Sequence, residues 1–113
     1  GAWYKTTGQG MGDTLTVVNE FQVYTLTDRA TYLARQDRLD IKVLLEGDSL
    51  LFNPYGVIPV NPERHTRVNR ELAEAFVEYI TRYETQERIA TFGLETYGQP
   101  LFYPNSLEWK AGR

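Results

Sequence analysis

Val23-Tyr24-Thr25-Leu26-Thr27-Asp28-Arg29 decides the fold class. Its first four residues are short, β-branched or aromatic, as a strand should be. Thr27 or Asp28 then offers a side-chain oxygen to cap a helix reaching about Arg35, with Tyr32 and Leu33 turned inward. Upstream, Leu15, Val18, Asn19 and Gln22 recur at helical spacing behind Asp13 and Thr14 as cap candidates, which predicts a helix over about residues 12–21. Helix, strand and helix in so short a span point to an α/β architecture with a largely parallel or mixed sheet.

Further along, residues 41–45 form a short apolar run ended by Glu46-Gly47-Asp48, and residues 55–60 form a second, interrupted by Pro59. Proline removes a ladder donor, so the second run reads as an edge strand or a crossing segment. From Val68 onward, Leu72, Ala73, Phe76, Val77 and Ile80 follow the period of an amphipathic helix, with Asn69 as its cap. A shorter helix over about 85–92 would stop at Gly93, which suits the left-handed position beyond a helix end. Gly98, Pro100 and Pro104 break any period after residue 94, and the tail reads as irregular.

The chain has 113 residues, 42 % hydrophobic and 24 % charged, which is a folding composition and the length of one ordinary domain. Twelve basic against fifteen acidic residues leave a net charge of -3, so there is no electrostatic footprint for nucleic acid. The absence of cysteine excludes thiolate metal sites, cysteine nucleophiles and disulfides. The longest uncharged run, residues 49–62, carries three prolines and two asparagines and is no membrane span. Residues 1–5 lack the pattern of an export signal, which for an exported protein would lie upstream.

Candidate chemistry is sparse. Gly8-Gln9-Gly10-Met11-Gly12 resembles anion-cradling loops, but Asp13 stands where the dinucleotide fingerprint needs glycine and the phosphate-loop lysine is missing. A tight turn that lets the helix pack closely is the favoured explanation of those glycines. Thr25, Thr27 and Arg29 gather hydroxyls and a guanidinium at the carboxyl end of the expected strand, where α/β sheets bind ligands, and that chemistry suits a tetrahedral oxyanion. The plainer alternative is a helix cap with surface ion pairing. His65 is the one histidine and has no serine or carboxylate at a readable partner spacing. Glu46 with Asp48, and Asp37 with Asp40, stand at turn positions where acids are common. No catalytic constellation emerges, so an enzyme is not expected.

Trp3-Tyr4, Thr7-Gly8-Gln9-Gly10-Met11-Gly12-Asp13-Thr14-Leu15 and Tyr24-Thr25-Leu26-Thr27-Asp28-Arg29-Ala30-Thr31-Tyr32-Leu33-Ala34 belong together. With Asn53-Pro54-Tyr55, Val60-Asn61-Pro62 and Tyr97-Gly98-Gln99-Pro100-Leu101-Phe102-Tyr103-Pro104-Asn105, they resemble the substrate-binding component of tungstate ABC transporters. That family sits among the type II periplasmic binding proteins, which include molybdate and phosphate binders.

The resemblance implies a fold of two α/β lobes joined by crossing strands, in which a mixed sheet is flanked by helices. It also implies a tungstate or molybdate dianion held in the cleft and delivered to a membrane permease, with no cofactor. The location it implies is periplasmic or extracellular, lipid-anchored or soluble. Only the C-terminal portion matches: the Ser/Thr-rich anion loop of the first lobe and the arginine-containing Ser-Gly-Thr loop expected before Trp3 are absent. Residues 1–54 then map to part of the second lobe, 55–60 to the crossing hinge strand, and 61–113 to helices and a tail that pack on the first lobe.

Thr25 falls near the position of a ligand-contacting tyrosine in molybdate binders, with Thr27 and Arg29 as neighbours, and Asp28 is expected to orient an arginine. Helices shaped to cover an absent lobe would expose Leu72, Phe76 and Ile80, predicting an intertwined or swapped homo-oligomer. A ligand-free binding or regulatory module that keeps the fold is the alternative function.

Overall fold

The computed structural model describes residues 1–112, which form two compact units, one of residues 1–53 and one beginning at Pro54. In the first unit, α1 (Met11–Phe21) and α2 (Arg29–Arg35) pack against each other, followed by 3₁₀ turns at Gln36–Arg38 and Ser49–Leu51. Leu15, Val18 and Leu33 are the buried hydrophobics, so the α1–α2 seam is this unit's core. Tyr32 is half-buried and its hydroxyl donates to the Ile41 carbonyl at 3.2 Å, tying the chain after α2 back onto it.

Local chemistry explains the boundaries. α1 starts at Gly10 with no side-chain cap. Asp13 lies in its first turn, where a carboxylate complements the dipole, and neither it nor Thr14 caps as the sequence suggested. The helix ends because Gln22 adopts φ 51°, and the Gln22 and Val23 amides both turn back to the Val18 carbonyl. Gln22 is therefore an exposed terminator and no part of the inward face. Between the two cap candidates for α2, the structure selects Asp28, whose Oδ2 accepts from the Thr31 amide at 2.8 Å.

The second unit holds α3 (Arg70–Thr81), α4 (Tyr83–Thr91), α5 (Leu94–Tyr97) and α6 (Leu107–Ala111). Asn69 caps α3 through the Leu72 amide, as expected. Arg82 breaks α3 from α4 with ψ 153°, so α4 begins two residues before its expected start. The tail is not irregular. Gly93 (φ 87°) turns the chain directly into α5, and the Ser106 side chain caps α6 through the Trp109 amide.

Trp109 stacks on Tyr83 at 4.8 Å between ring centroids, and Phe102 stacks on Phe92 at 6.3 Å. Buried Gln86 joins these pieces. Its Nε2 donates to the Ile80 carbonyl, and its Oε1 accepts from the Asn105 and Ser106 amides.

The expected mixed sheet is not observed: among the described residues there is no strand. The segments read as strands, 23–26, 41–45 and 55–60, run outside any helix or ladder. The physical reason is the lack of a neighbouring backbone to pair with, since a strand is defined by its ladder and not by its own sequence. Residues suited to a sheet interior are accordingly exposed, including Tyr24 at 89 % and Ile58 at 87 %.

α3 divides its apolar residues into two stripes. Ala73, Val77 and Ile80 are half-buried, whereas Leu72 and Phe76 are exposed at 66 % and 57 %. Exposure of Leu72 and Phe76 matches the sequence expectation, and Ile80 departs from it.

The total is unusual too. A compact 13.1 kDa chain exposes about 6,400 Å² and two separate compact halves of that mass about 7,700 Å², whereas this chain exposes 9625 Å².

Candidate functional site

The segment between α1 and α2 carries the three residues expected to meet an anion. Thr25 is exposed and its hydroxyl donates to the Leu26 carbonyl at 3.3 Å. Thr27 is half-buried and its hydroxyl donates to the Asp28 carbonyl at 3.1 Å. Arg29 opens α2, half-buried and engaged in an interaction of its own. The sequence thus places all three at one chain segment leading into a helix, with the two threonine hydroxyls turned to neighbouring carbonyls.

Asp28 changes the electrostatics of this segment. Its carboxylate occupies the Thr31 amide, one of the donors that a helix start could offer an anion, and adds negative charge there. The Thr31 amide is thereby closed to an external anion, and the Thr25 and Thr27 hydroxyl protons are engaged by neighbouring carbonyls.

The glycine-containing loop offers a second group of donors. Thr7 Oγ1 and Thr14 Oγ1 lie 2.8 Å apart, and the Gln9 amide donates to Thr7 Oγ1 at 3.4 Å. Gly8 takes φ 63°, the left-handed conformation that favours glycine. Gly12 is glycine for another reason. The Arg35 guanidinium occupies the space a side chain would need, with Cζ and Nε each 2.7 Å from an ideal Cβ position.

The acids and the histidine adopt plain structural roles. Asp48 caps the 3₁₀ turn Ser49–Leu51 through the Leu50 amide. Asp37 approaches Arg38 at 3.9 Å on the open surface, and the Asp40 amide donates to Asn19 Oδ1 at 2.6 Å. His65 is exposed in a turn and accepts at its carbonyl from the Val68 amide. Among the described residues no three histidines or acids gather as a metal site.

Sequence reasoning overlooked the surface between α1 and the end of α2, where Thr16, Asn19, Arg35, Arg38 and Leu39 line a groove of about 240 Å³. The unusual Gly12 opposite Arg35 was the available signal, but a contact between residues so far apart in the chain has no local spacing to reveal it.

A family model described as a PBP superfamily domain matches residues 2–84. The chain belongs to this superfamily. The loop-to-helix segments around residues 7–15 and 24–34 lie inside the match.

Among curated relatives, a tungstate-binding protein TupA of Peptoclostridium acidaminophilum is 46% identical over 108 residues, covering 96% of this chain and 38% of the relative. A protein of Haloferax volcanii, provisionally named an ABC transporter anion-binding protein, is 44% identical over 112 residues, covering 95% and 32%. Tungstate-binding protein TupA of Campylobacter jejuni is 34% identical over 105 residues, covering 89% and 38%. The chain thus spans roughly a third of the length of these relatives.

Proposed function

We propose that this chain is part of an extracytoplasmic binding protein for a tetrahedral oxyanion, tungstate or molybdate, which it delivers to an ABC transporter permease without catalysis. The observation that carries the reading is the 46% identity to a tungstate-binding protein across nearly the whole chain. The hydroxyl and guanidinium chemistry of Thr25, Thr27 and Arg29 supports it. These three residues are proposed as the ligand contacts that this chain contributes, with 1–54 as part of the second lobe, 55–60 as the crossing strand and 61–113 as the portion that packs on the first lobe.

Under this reading the exposed segments 23–26, 41–45 and 55–60 enter the mixed sheet of the periplasmic-binding-protein fold when the partner strands are present. The exposed Leu72–Phe76 stripe is covered by the same means, and when this chain stands alone a swapped homo-oligomer supplies the cover. Among the described residues no helix is long and apolar enough to cross a membrane. Location outside the cytoplasm rests on the relatives' names.

Isothermal titration calorimetry of the chain with tungstate, molybdate and sulfate, with the oligomeric mass taken in the same buffer, tests the proposal. Saturable heat with tungstate that falls on Thr25→Ala and Thr27→Ala is expected. A second reading, a ligand-free binding or regulatory module, is favoured by one observation. The Thr25 and Thr27 hydroxyls are turned to backbone carbonyls, and Asp28 fills the helix start. Absence of heat with every oxyanion would contradict a working oxyanion site in this chain on its own.

A further inference from the structure

We infer that the groove between α1 and the end of α2 is a separate binding site for a phosphate-type polyoxygen anion. It lies apart from the segment of Thr25, Thr27 and Arg29 and does not depend on the reading above.

Thr16, Asn19, Arg35, Arg38 and Leu39 line about 240 Å³, a space ample for one small oxyanion, and no carboxylate is among the lining residues. Arg35 has no acidic partner among the described residues. Arg38 has only Asp37, at 3.9 Å and with both side chains more than three-quarters exposed, a contact of little energetic weight. Arg35 and Arg38, three residues apart in the chain, both border the groove, and each guanidinium fork is suited to paired hydrogen bonds with the oxygens of an anion.

The opposite wall adds donors. Asn19 Oδ1 is already committed to the Asp40 amide at 2.6 Å, which turns the remaining donor capacity of its amide nitrogen to other acceptors. Thr16 holds the Gly12 carbonyl only at a long 3.4 Å, so its hydroxyl is loosely engaged.

Arg35 is also seated. Its guanidinium lies against Gly12 at the beginning of α1, while its own backbone is in the last turn of α2. An anion in the groove would pair with a charge that has no acidic partner among the described residues. Glycine at position 12 leaves the room that this placement requires.

The test is titration of the ¹⁵N-labelled chain with inorganic phosphate, with chloride at matched ionic strength, following the Arg Nε–H and Asn side-chain amide signals by NMR. Saturable shifts at Arg35, Arg38 and Asn19 with phosphate and not with chloride are expected. Arg35→Gln and Arg38→Gln should each weaken binding about tenfold, the scale of one lost charge-assisted hydrogen bond. Arg67→Gln, at an exposed arginine of the other unit, should leave the phosphate affinity unchanged.

Gly12→Ala, which displaces the guanidinium without removing its charge, should weaken binding as Arg35→Gln does. Shifts that never saturate, shifts equal with chloride, or affinities untouched in both arginine variants would overturn the assignment.

Discussion

Gln86 holds Asn105 in place: the buried carboxamide Oε1 accepts from the Asn105 amide at 2.9 Å and from the adjacent Ser106 amide at 3.1 Å, while Nε2 reaches back to the Ile80 carbonyl. One side chain thereby fixes the tail to the α3–α4 junction. Gln86→Ala strands two amides and a carbonyl and should cost about 2–4 kcal/mol. A urea titration followed by tryptophan fluorescence checks this, and a loss below about 0.5 kcal/mol would show that the tail does not depend on Gln86.

The buried face of α1 and the exposed stripe of α3 should respond oppositely to truncation. Leu15 is completely buried, and Leu15→Ala is expected to cost about 2–5 kcal/mol. Leu72→Ala, at a residue 66 % exposed, should change monomer stability by less than about 0.5 kcal/mol. If a second copy covers this stripe, Leu72→Glu with Phe76→Glu lowers the mass seen by analytical ultracentrifugation. An unchanged mass would place the stripe outside any such contact.

Asp28 and Thr27 adjoin each other but act differently. Asp28→Ala removes the α2 cap and should destabilise the first unit by about 1 kcal/mol, whereas Asp28→Asn keeps most of the cap. Thr27→Ala loses only a hydroxyl donation to a neighbouring carbonyl and should leave stability within about 0.5 kcal/mol. Thermal unfolding of the three variants separates capping from any ligand role, and equal losses for Thr27→Ala and Asp28→Ala would contradict the assignment.

Two glycines with positive φ test the tail geometry. At Gly93 (φ 87°) a new Cβ would lie 2.7 Å from Leu101 Cγ, whereas at Gly98 (φ 73°) it would meet open space. Gly98→Ala should cost about 1 kcal/mol from backbone strain alone, and Gly93→Ala distinctly more. Equal midpoints in denaturant would mean that Leu101 yields at no cost.

Helices were legible where their signals are local. The Asn69 cap, the α3 period and the glycine stop at position 93 each depend on residues a few positions apart, and each is present. The strands were not, because Val23, Val43 and Ile58 carry strand propensity without specifying a partner. Capping of α6 by Ser106 was hidden by the glycines and prolines just before it, which made the tail read as irregular.

The candidate site shows the same division. Thr25, Thr27 and Arg29 could be named from the chain order, but the groove of Arg35 and Asn19 depends on two helices packing together and left only Gly12 as its trace.

The most direct test of the account is the shift in thermal midpoint of the chain on adding tungstate, compared with the Thr25→Val, Thr27→Val, Arg29→Gln triple variant. Binding confined to the folded state stabilises by about 2.7 kcal/mol at a hundredfold excess over Kd. The account predicts a rise of several degrees for the unaltered chain that disappears in the triple variant. No rise with tungstate, or the same rise in both proteins, would contradict an oxyanion site built on these residues.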